Sequence, residues 1–290
     1  MVQSALVVAD YGKEGVRFLG SELEAWLSAR LASVRLATDV RRFREEREAL
    51  SPEERARERP DLLVVLGGDG ALLAAVRAFS LHPVPTLGIN FGRVGFLAST
   101  PASKWRESLE CVLAGACQIE QRTRLAVRIE AGGQSKETVA LNDVALQRSA
   151  HQGMLSASLH VDGTWVTDYR ADGVIVATPS GSTAYALSAG GPILEPSVPA
   201  LVVTPICSHG LSNRPIVLHE RGELVLRVSA ASGITTVAVD GQSYHSLSQG
   251  DLLRLRRHAE SYPVYVMPGL DPYRRLRERL GWSTSPLAEE

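Results

Sequence analysis

At 290 residues, 44% of them hydrophobic and 22% charged, the chain falls in the globular range and is long enough to bury one large core or two medium ones. Its 31 lysines and arginines nearly balance 32 aspartates and glutamates, which argues against the basic surface of a nucleic-acid binder, and no run approaches the ~18 apolar residues of a membrane helix. Three cysteines (Cys111, Cys117, Cys207) give an odd number with no zinc-site spacing, and Asp10, Lys13, Glu14 and Arg17 stand where a signal peptide would be apolar; a soluble, unexported, cytoplasmic protein without a disulfide framework is expected.

In chain order, Leu6-Val7-Val8 reads as a short strand, residues 14–31 as an amphipathic helix and residues 62–66 as a buried strand. Between them, residues 41–59 mix arginine and glutamate, the pattern of a solvated, ion-pair-laced segment. Residues 71–79 have helix composition, residues 86–89 read as a strand, and residues 102–113 as a helix stopped by Gly115. Alternation of strand and helix predicts an open parallel α/β domain.

From Ile119 the period changes. Short alternating runs at residues 125–129, 139–141, 155–161, 165–166, 173–177, 201–204, 223–228 and 236–239 are punctuated by Gly132-Gly133 and Asp162-Gly163, which predicts a β domain of two packed sheets, sandwich-like. A tail at residues 271–280 reads as a helix returning to the first domain. The expected division is 1–118, 119–267 and 268–290. Trp26, Trp105, Trp165 and Trp282 are read as packing residues.

Gly67-Gly68-Asp69-Gly70 follows a buried strand and opens a helix, where unpaired N–H groups attract anions and glycines admit close approach or φ > 0. An acid in such a loop repels phosphate unless it assists a divalent cation or takes a proton, both parts of phosphoryl transfer. The same residues also suit a tight turn in which Asp69 only caps the helix. Neither G-x-x-x-x-G-K-[ST] nor a strand followed by G-x-G-x-x-G occurs. A second cluster, YRADGVIVATPSGSTAYALSAGGP (169–192), gathers Thr178, Ser180, Ser182, Thr183, Tyr185 and Ser188 after a strand, a density of hydroxyls suited to a polar ligand or to a Ser/Thr-rich turn.

Together with VVLGGDGALL (64–73), GINFGRVGFLA (88–98), LNDVAL (141–146), TPICSHGLSNRPIVL (204–218) and VAVDGQ (237–242), this block resembles the NAD kinase family, in the family's order and over most of the chain. The GGDG motif is shared with lipid and phosphofructokinase-type kinases; Asn142-Asp143, TPSGSTAY and NRPIVL mark the NAD kinases. Ala71, Asp143 and Ser208 depart from the more usual threonine, glutamate and proline.

The resemblance implies transfer of a γ-phosphoryl group from ATP or polyphosphate to the adenosine 2′-hydroxyl of NAD, assisted by a divalent metal ion (Mg²⁺). It makes Asp69 the general base and turns Gly67, Gly68, Asp69 and Gly70 to the donor. Asn142 and Asp143 would bond the ribose, and Thr183, Ala184, Tyr185, Ala186, Leu187 and Ser188 would hold the adenine, with Tyr185 on a ring face. Arg170 suits the ligand's phosphates, Asp172 an amide or amine, and Gln242 completes the pocket. A homo-oligomer, dimer or tetramer, is implied as well. Two rivals remain: another GGDG kinase acting on a lipid or small molecule, which would want a more apolar acceptor cavity, and a non-catalytic NAD(P) sensor, which would have no use for Asp69.

Overall fold

Five apolar residues in a row, Leu62–Leu66, offer no polar alternation for a wet face, and all five are buried at the centre of a parallel sheet. In the computed structural model, which describes residues 2–12, 15–91, 95–98, 100–148, 153–210, 212–231, 235–269 and 273–282, the chain divides into two units. One comprises Met1–Gln121 with Tyr262–Glu290, the other Arg122–Ser261.

The first unit contains β1 (Ser4–Ala9), β2 (Ser33–Ala37), β3 (Leu62–Leu66), β4 (Thr86–Asn90), β5 (Thr100–Pro101) and β6 (Gln118–Arg122). Its helices are α1 (Val16–Ser28), α2 (Val40–Glu48), α3 (Pro52–Arg57), α4 (Asp69–Ala78) and α5 (Trp105–Leu113). The sheet runs β2-β1-β3-β4, then the last strand of the chain, Tyr262–Val266, then β6, with β5 paired to β4. Pairs β1/β2, β1/β3 and β3/β4 are parallel, so the loop after β3 opens at the carboxyl edge beside the point where strand order reverses. Helix α1 buries Val16, Leu19, Leu23 and Leu27, one stripe at helical spacing. That stripe shares a core with Leu62, Val64 and Leu66 and with Trp105 and Leu109 of α5, where Trp26 and Trp105 meet edge to face at 5.8 Å.

The charged segment at 41–59 is largely exposed and laced with i,i+4 ion pairs such as Arg42–Glu46 and Arg44–Glu48, as read, and it folds into two short helices. Asp39 caps α2, and Ser51 with Glu54 forms a capping box on α3. Arg47 is 3% exposed: its guanidinium lies 4.1 Å over the Phe79 ring and donates to the carbonyls of Ala78 (3.1 Å) and Arg55 (2.7 Å). Burial lowers the pKa of this group, and Glu58 partly offsets that.

Among the described residues the strands of the second unit pair antiparallel. Its strands are β7 (Leu125–Ala131), β8 (Gln134–Ala140), β9 (Asp143–Arg148), β10 (Leu155–Val161), β11 (Thr164–Ala171), β12 (Gly173–Ala177), β13 (Ala200–Ile206), β14 (Ile216–His219), β15 (Leu224–Ala231), β16 (Thr235–Val239), β17 (Gln242–Leu247) and β18 (Leu252–Arg257). They form two sheets, β11-β10-β15-β18-β7-β8 and β14-β13-β12-β9-β16-β17. Alternate residues of both sheets, such as Val127, Leu159, Leu226 and Leu253 against Leu146, Val176, Val203 and Val237, make one core. Hairpins turn at Gly132-Gly133, Asp162-Gly163 and Asp240-Gly241, each with both residues at positive φ, as two-residue turns of this hand require. The return to the first unit comes earlier than residue 268, because β19 (Tyr262–Val266) already pairs with β4; a short helix, α7 (Arg274–Leu280), follows α6 (Tyr185–Ser188) as the last helix. Trp165 and Trp282 are each 58% exposed and do not pack as expected. Among the described residues no helix is long and apolar enough to cross a membrane.

Candidate functional site

In the first unit, β3 runs directly into Gly67-Gly68-Asp69-Gly70, and Gly68 is the N-cap of α4, so the first N–H groups of the helix stand open at the carboxyl edge of the sheet. None of these three glycines has positive φ. What they contribute is room: a Cβ on Gly67 would sit 2.7 Å from Cβ of Ala71. Gly68 and not Asp69 is the N-cap of α4, and the hydrogen bonds of the Asp69 side chain leave the helix. Asp69 reaches instead to the segment at residues 96–98, where Oδ2 accepts from the Phe96 N–H (2.9 Å) and Oδ1 from those of Leu97 (3.1 Å) and Ala98 (2.9 Å). Any side chain at Gly95 would overlap this carboxylate. A carboxylate accepts at about four positions; three are filled, and one on Oδ2 remains.

In the second unit, Asn142-Asp143 opens β9. The carbonyls of Leu141 and Asn142 accept from Thr178, through Oγ1 (2.6 Å) and N–H (2.9 Å). The N–H groups of Leu141, Asn142 and Asp143 all donate to Asp240, at 3.0, 2.8 and 3.2 Å. With the main chain thus satisfied, the side chains are left over. Asn142 is 7% exposed, and its Oδ1 has no hydrogen-bond partner among the described residues, a costly arrangement unless a ligand donor meets it. Asp143 is as deeply buried; burial, with the Asp240 charge adding to it, pushes its carboxyl up to about 7 against a lowering contribution from the Tyr185 N–H.

The hydroxyl-rich loop is only partly free for a ligand. Thr178 is spent on Leu141, Ser182 bonds the Pro179 carbonyl (2.7 Å) and accepts from Leu194 N–H (2.9 Å), and Thr183 donates to the Ser180 carbonyl (3.0 Å). A side chain at Gly181 would overlap the Asn142 carbonyl, so this loop lies hard against the Asn142-Asp143 turn. Ala186 seals the outer face of the second sheet against Ala145, Ile175 and Ala177. Around it Thr183, Ala184 and Leu187 are half-buried and Ser188 is exposed. Tyr185 leaves 40% of its surface open, and its hydroxyl accepts from Gln147 Nε2 (2.6 Å). Gln242, half-buried, begins β17 just after the Asp240-Gly241 turn.

Asn142, Asp143 and Gln242 therefore gather at one end of the second sheet, and the 183–188 segment runs from there along the sheet's face, with the Tyr185 N–H at Asp143 and its hydroxyl at Gln147. Asp172 and Arg170 do not join them: Ala177 of β12 pairs opposite Asp143, whereas Gly173 pairs opposite Gln147, so Asp172 lies beyond the other end of that strand, roughly 16 Å away. Asp172 is held by Arg148 at 2.7 Å, a hydrogen-bonded ion pair that keeps its carboxyl below the ordinary range, and Arg170 is exposed on β11. A ligand touching both groups must be extended. Sequence reasoning missed Asp240 as more than a turn residue, Arg148 as the partner of Asp172, and residues 96–98 as the seat of Asp69; all three depend on pairing between distant segments.

The ATP-NAD kinase N-terminal domain family model matches residues 7–117, and the ATP-NAD kinase C-terminal domain model matches residues 141–267. The NAD kinase of Burkholderia pseudomallei is 41% identical over 243 residues, 83% of this chain and 80% of that one. That of Acidobacterium capsulatum is 37% identical over 277 residues, 95% and 97% of the two chains. Among solved structures, yeast NADH kinase complexed with NADH superposes with a TM-score of 0.84 at 26% identity, covering 98% of this chain and 89% of the other. An NAD kinase from Archaeoglobus fulgidus in complex with ATP gives 0.72 at 25% identity, covering 96% and 97%. With both domain models matched in order and full-length relatives well above 30% identity, the chain belongs to the NAD kinase family.

Proposed function

We propose that the chain transfers the γ-phosphoryl group of ATP to the adenosine 2′-hydroxyl of NAD, giving NADP, with Asp69 as general base. The observation that carries this reading is the Asp69 carboxylate, fixed by three N–H bonds and left with one acceptor position beside the open start of α4. Gly67, Gly68 and Gly70 let the donor's phosphates approach the main chain, and the helix start favours their charge. Phosphoryl transfer asks for placement and charge stabilisation more than for covalent chemistry, so a rigidly seated base is what the reaction needs.

Asn142 and Asp143 hold the acceptor ribose, the unpartnered Oδ1 of Asn142 accepting a hydrogen bond from a hydroxyl. Residues 183–188 and Gln242 border the adenine, with the exposed face of Tyr185 against the base. Asp172, on its Arg148 tether, and Arg170 receive the distal half of the extended dinucleotide. A divalent ion such as Mg²⁺ would sit beside the donor's phosphates, with Asp69, the only carboxylate of the loop, as the residue of this chain nearest to hold it. When bound it neutralises charge on those phosphates.

The likeness to a yeast NADH kinase bound to NADH supports NADH as a second acceptor. Cytoplasmic location, expected from the composition and the odd cysteine number, and a homo-oligomer, dimer or tetramer, expected from the family resemblance, are tested by fractionation and sedimentation. The direct experiment supplies ATP, another nucleoside triphosphate or polyphosphate as donor, and NAD, NADH or diacylglycerol as acceptor, and measures NADP(H) or phospholipid. NADP from ATP and NAD is expected. Binding of NAD without product would select the sensor, and product from diacylglycerol the lipid kinase. Asp69→Asn is expected to lose on the order of 10² to 10⁴ in kcat while calorimetry finds NAD binding within a few-fold of the parent; near-normal turnover would remove Asp69 from its role.

A further inference from the structure

Asp240 occupies the first position of the β16–β17 hairpin turn, at φ 47, a left-handed conformation that aspartate, asparagine and glycine tolerate best. Such a turn needs no carboxylate. Yet both carboxylate oxygens are turned across to a segment about a hundred residues earlier: Oδ2 accepts from Leu141 N–H, and Oδ1 from both Asn142 and Asp143 N–H, while the Asp240 N–H returns to the Asp143 carbonyl (2.9 Å). Three consecutive amides converging on one point form a cradle for an anion, and here the anion is supplied by the protein.

We propose that Asp240 is a positioning residue for the acceptor, fixing the main chain of residues 141–143 so that the side chains of Asn142 and Asp143 alone are presented to the ribose. The inference rests on the reading of Asn142-Asp143 as ribose contacts. Its physical basis is a division of labour. Asp240 consumes the three amides, Thr178 consumes the carbonyls of Leu141 and Asn142, and the only orphaned polar atom of the turn is Asn142 Oδ1. No other residue type satisfies both demands at this position. Glycine keeps the turn but has no acceptor, glutamate is a methylene too long, and asparagine keeps one oxygen but sets an NH₂ group against the Leu141 N–H.

The test is steady-state kinetics with NAD and ATP varied separately, on the full-length protein, for Asp240→Asn and Asn142→Ala. Asp240→Asn is expected to raise KM for NAD about ten-fold, the loss of one charge-assisted bond, with KM for ATP within two-fold and kcat less affected. An unchanged KM for NAD with a lowered melting temperature would reduce Asp240 to a hairpin residue, and parallel rises in both KM values would mean general loosening; either overturns the proposal. Asn142→Ala separates the underlying reading: if it leaves KM for NAD unaltered, the ribose assignment itself fails, whatever Asp240→Asn does. Should Asp240→Asn not fold, hydrogen exchange on the unsubstituted protein decides. Amides of Leu141, Asn142 and Asp143 are expected to be protected to the level of Val176 in the neighbouring strand, and fast exchange there sinks the idea.

Discussion

Two candidate carboxylates, one in each unit, are handled in different ways. Asp69 accepts three main-chain N–H bonds and keeps one acceptor position, whereas Asp143 is buried near the charge of Asp240 and pushed up to about 7. For Asp143 the linkage has a definite sign. Its folded-state pKa lies above the unfolded value, so between the ordinary carboxylate range and about 7 the folded chain retains a proton that the unfolded chain releases. Stability from this group therefore falls as pH rises through that window, and the full penalty is present above it. Asp143→Asn, which cannot ionise, escapes the penalty. Its denaturation free energy relative to the parent is expected to improve by about 2–4 kcal/mol between pH 4 and pH 8, measured by chemical denaturation without substrate; parallel stability curves would refute the burial argument. At this scale the GGDG loop and Asn142-Asp143 were readable because their chemistry is contained in adjacent residues. Asp240 was not, since its partners lie 97 to 99 positions away and only the pairing of β16 with β9 brings them together.

Among elements, those with clean periodicity were legible and those with polar faces were not. Strands β3, β10 and β12 match their apolar runs, and the stripe of α1 lies within the expected helix. Strand β2, SVRLA, is a half-exposed edge strand with no buried face to betray it. Helices α2 and α3 escaped for a different reason: between them only Val40 and Arg47 are buried, so there is no apolar stripe, although Ser51-Pro52-Glu53-Glu54 carries the start signal in plain form. The buried member of that pair is a cation whose hydrogen bonds tie α2 to α3 and to the end of α4. Arg47→Ala removes the donors to two carbonyls and the cover over Phe79, and is expected to destabilise the protein by about 2–4 kcal/mol in denaturant titration while kcat/KM stays within two-fold. A neutral effect on stability would mean that the burial of Arg47 is incidental.

For the whole molecule, the change of period near residue 119 was enough to divide an α/β part from a β part, because parallel sheets flanked by helices and antiparallel sandwiches impose different spacings of apolar residues. The place of re-entry was harder to read. Strand β19, YPVYV, alternates like its antiparallel predecessors, and nothing local says that it leaves them for a parallel sheet between β4 and β6. Both chain ends therefore belong to the first unit, and the second is an insertion hung between two neighbouring strands of a sheet.

That arrangement has a mechanical meaning. Tension applied to the two termini passes across the parallel sheet through the bonds that hold β19, and the inserted sandwich is slack until they give way. Pulled in an optical trap, the molecule should break in a fixed sequence, helix-flanked sheet first and sandwich second, even when the sandwich is the weaker of the two; release of the sandwich's contour length in the first event would contradict this.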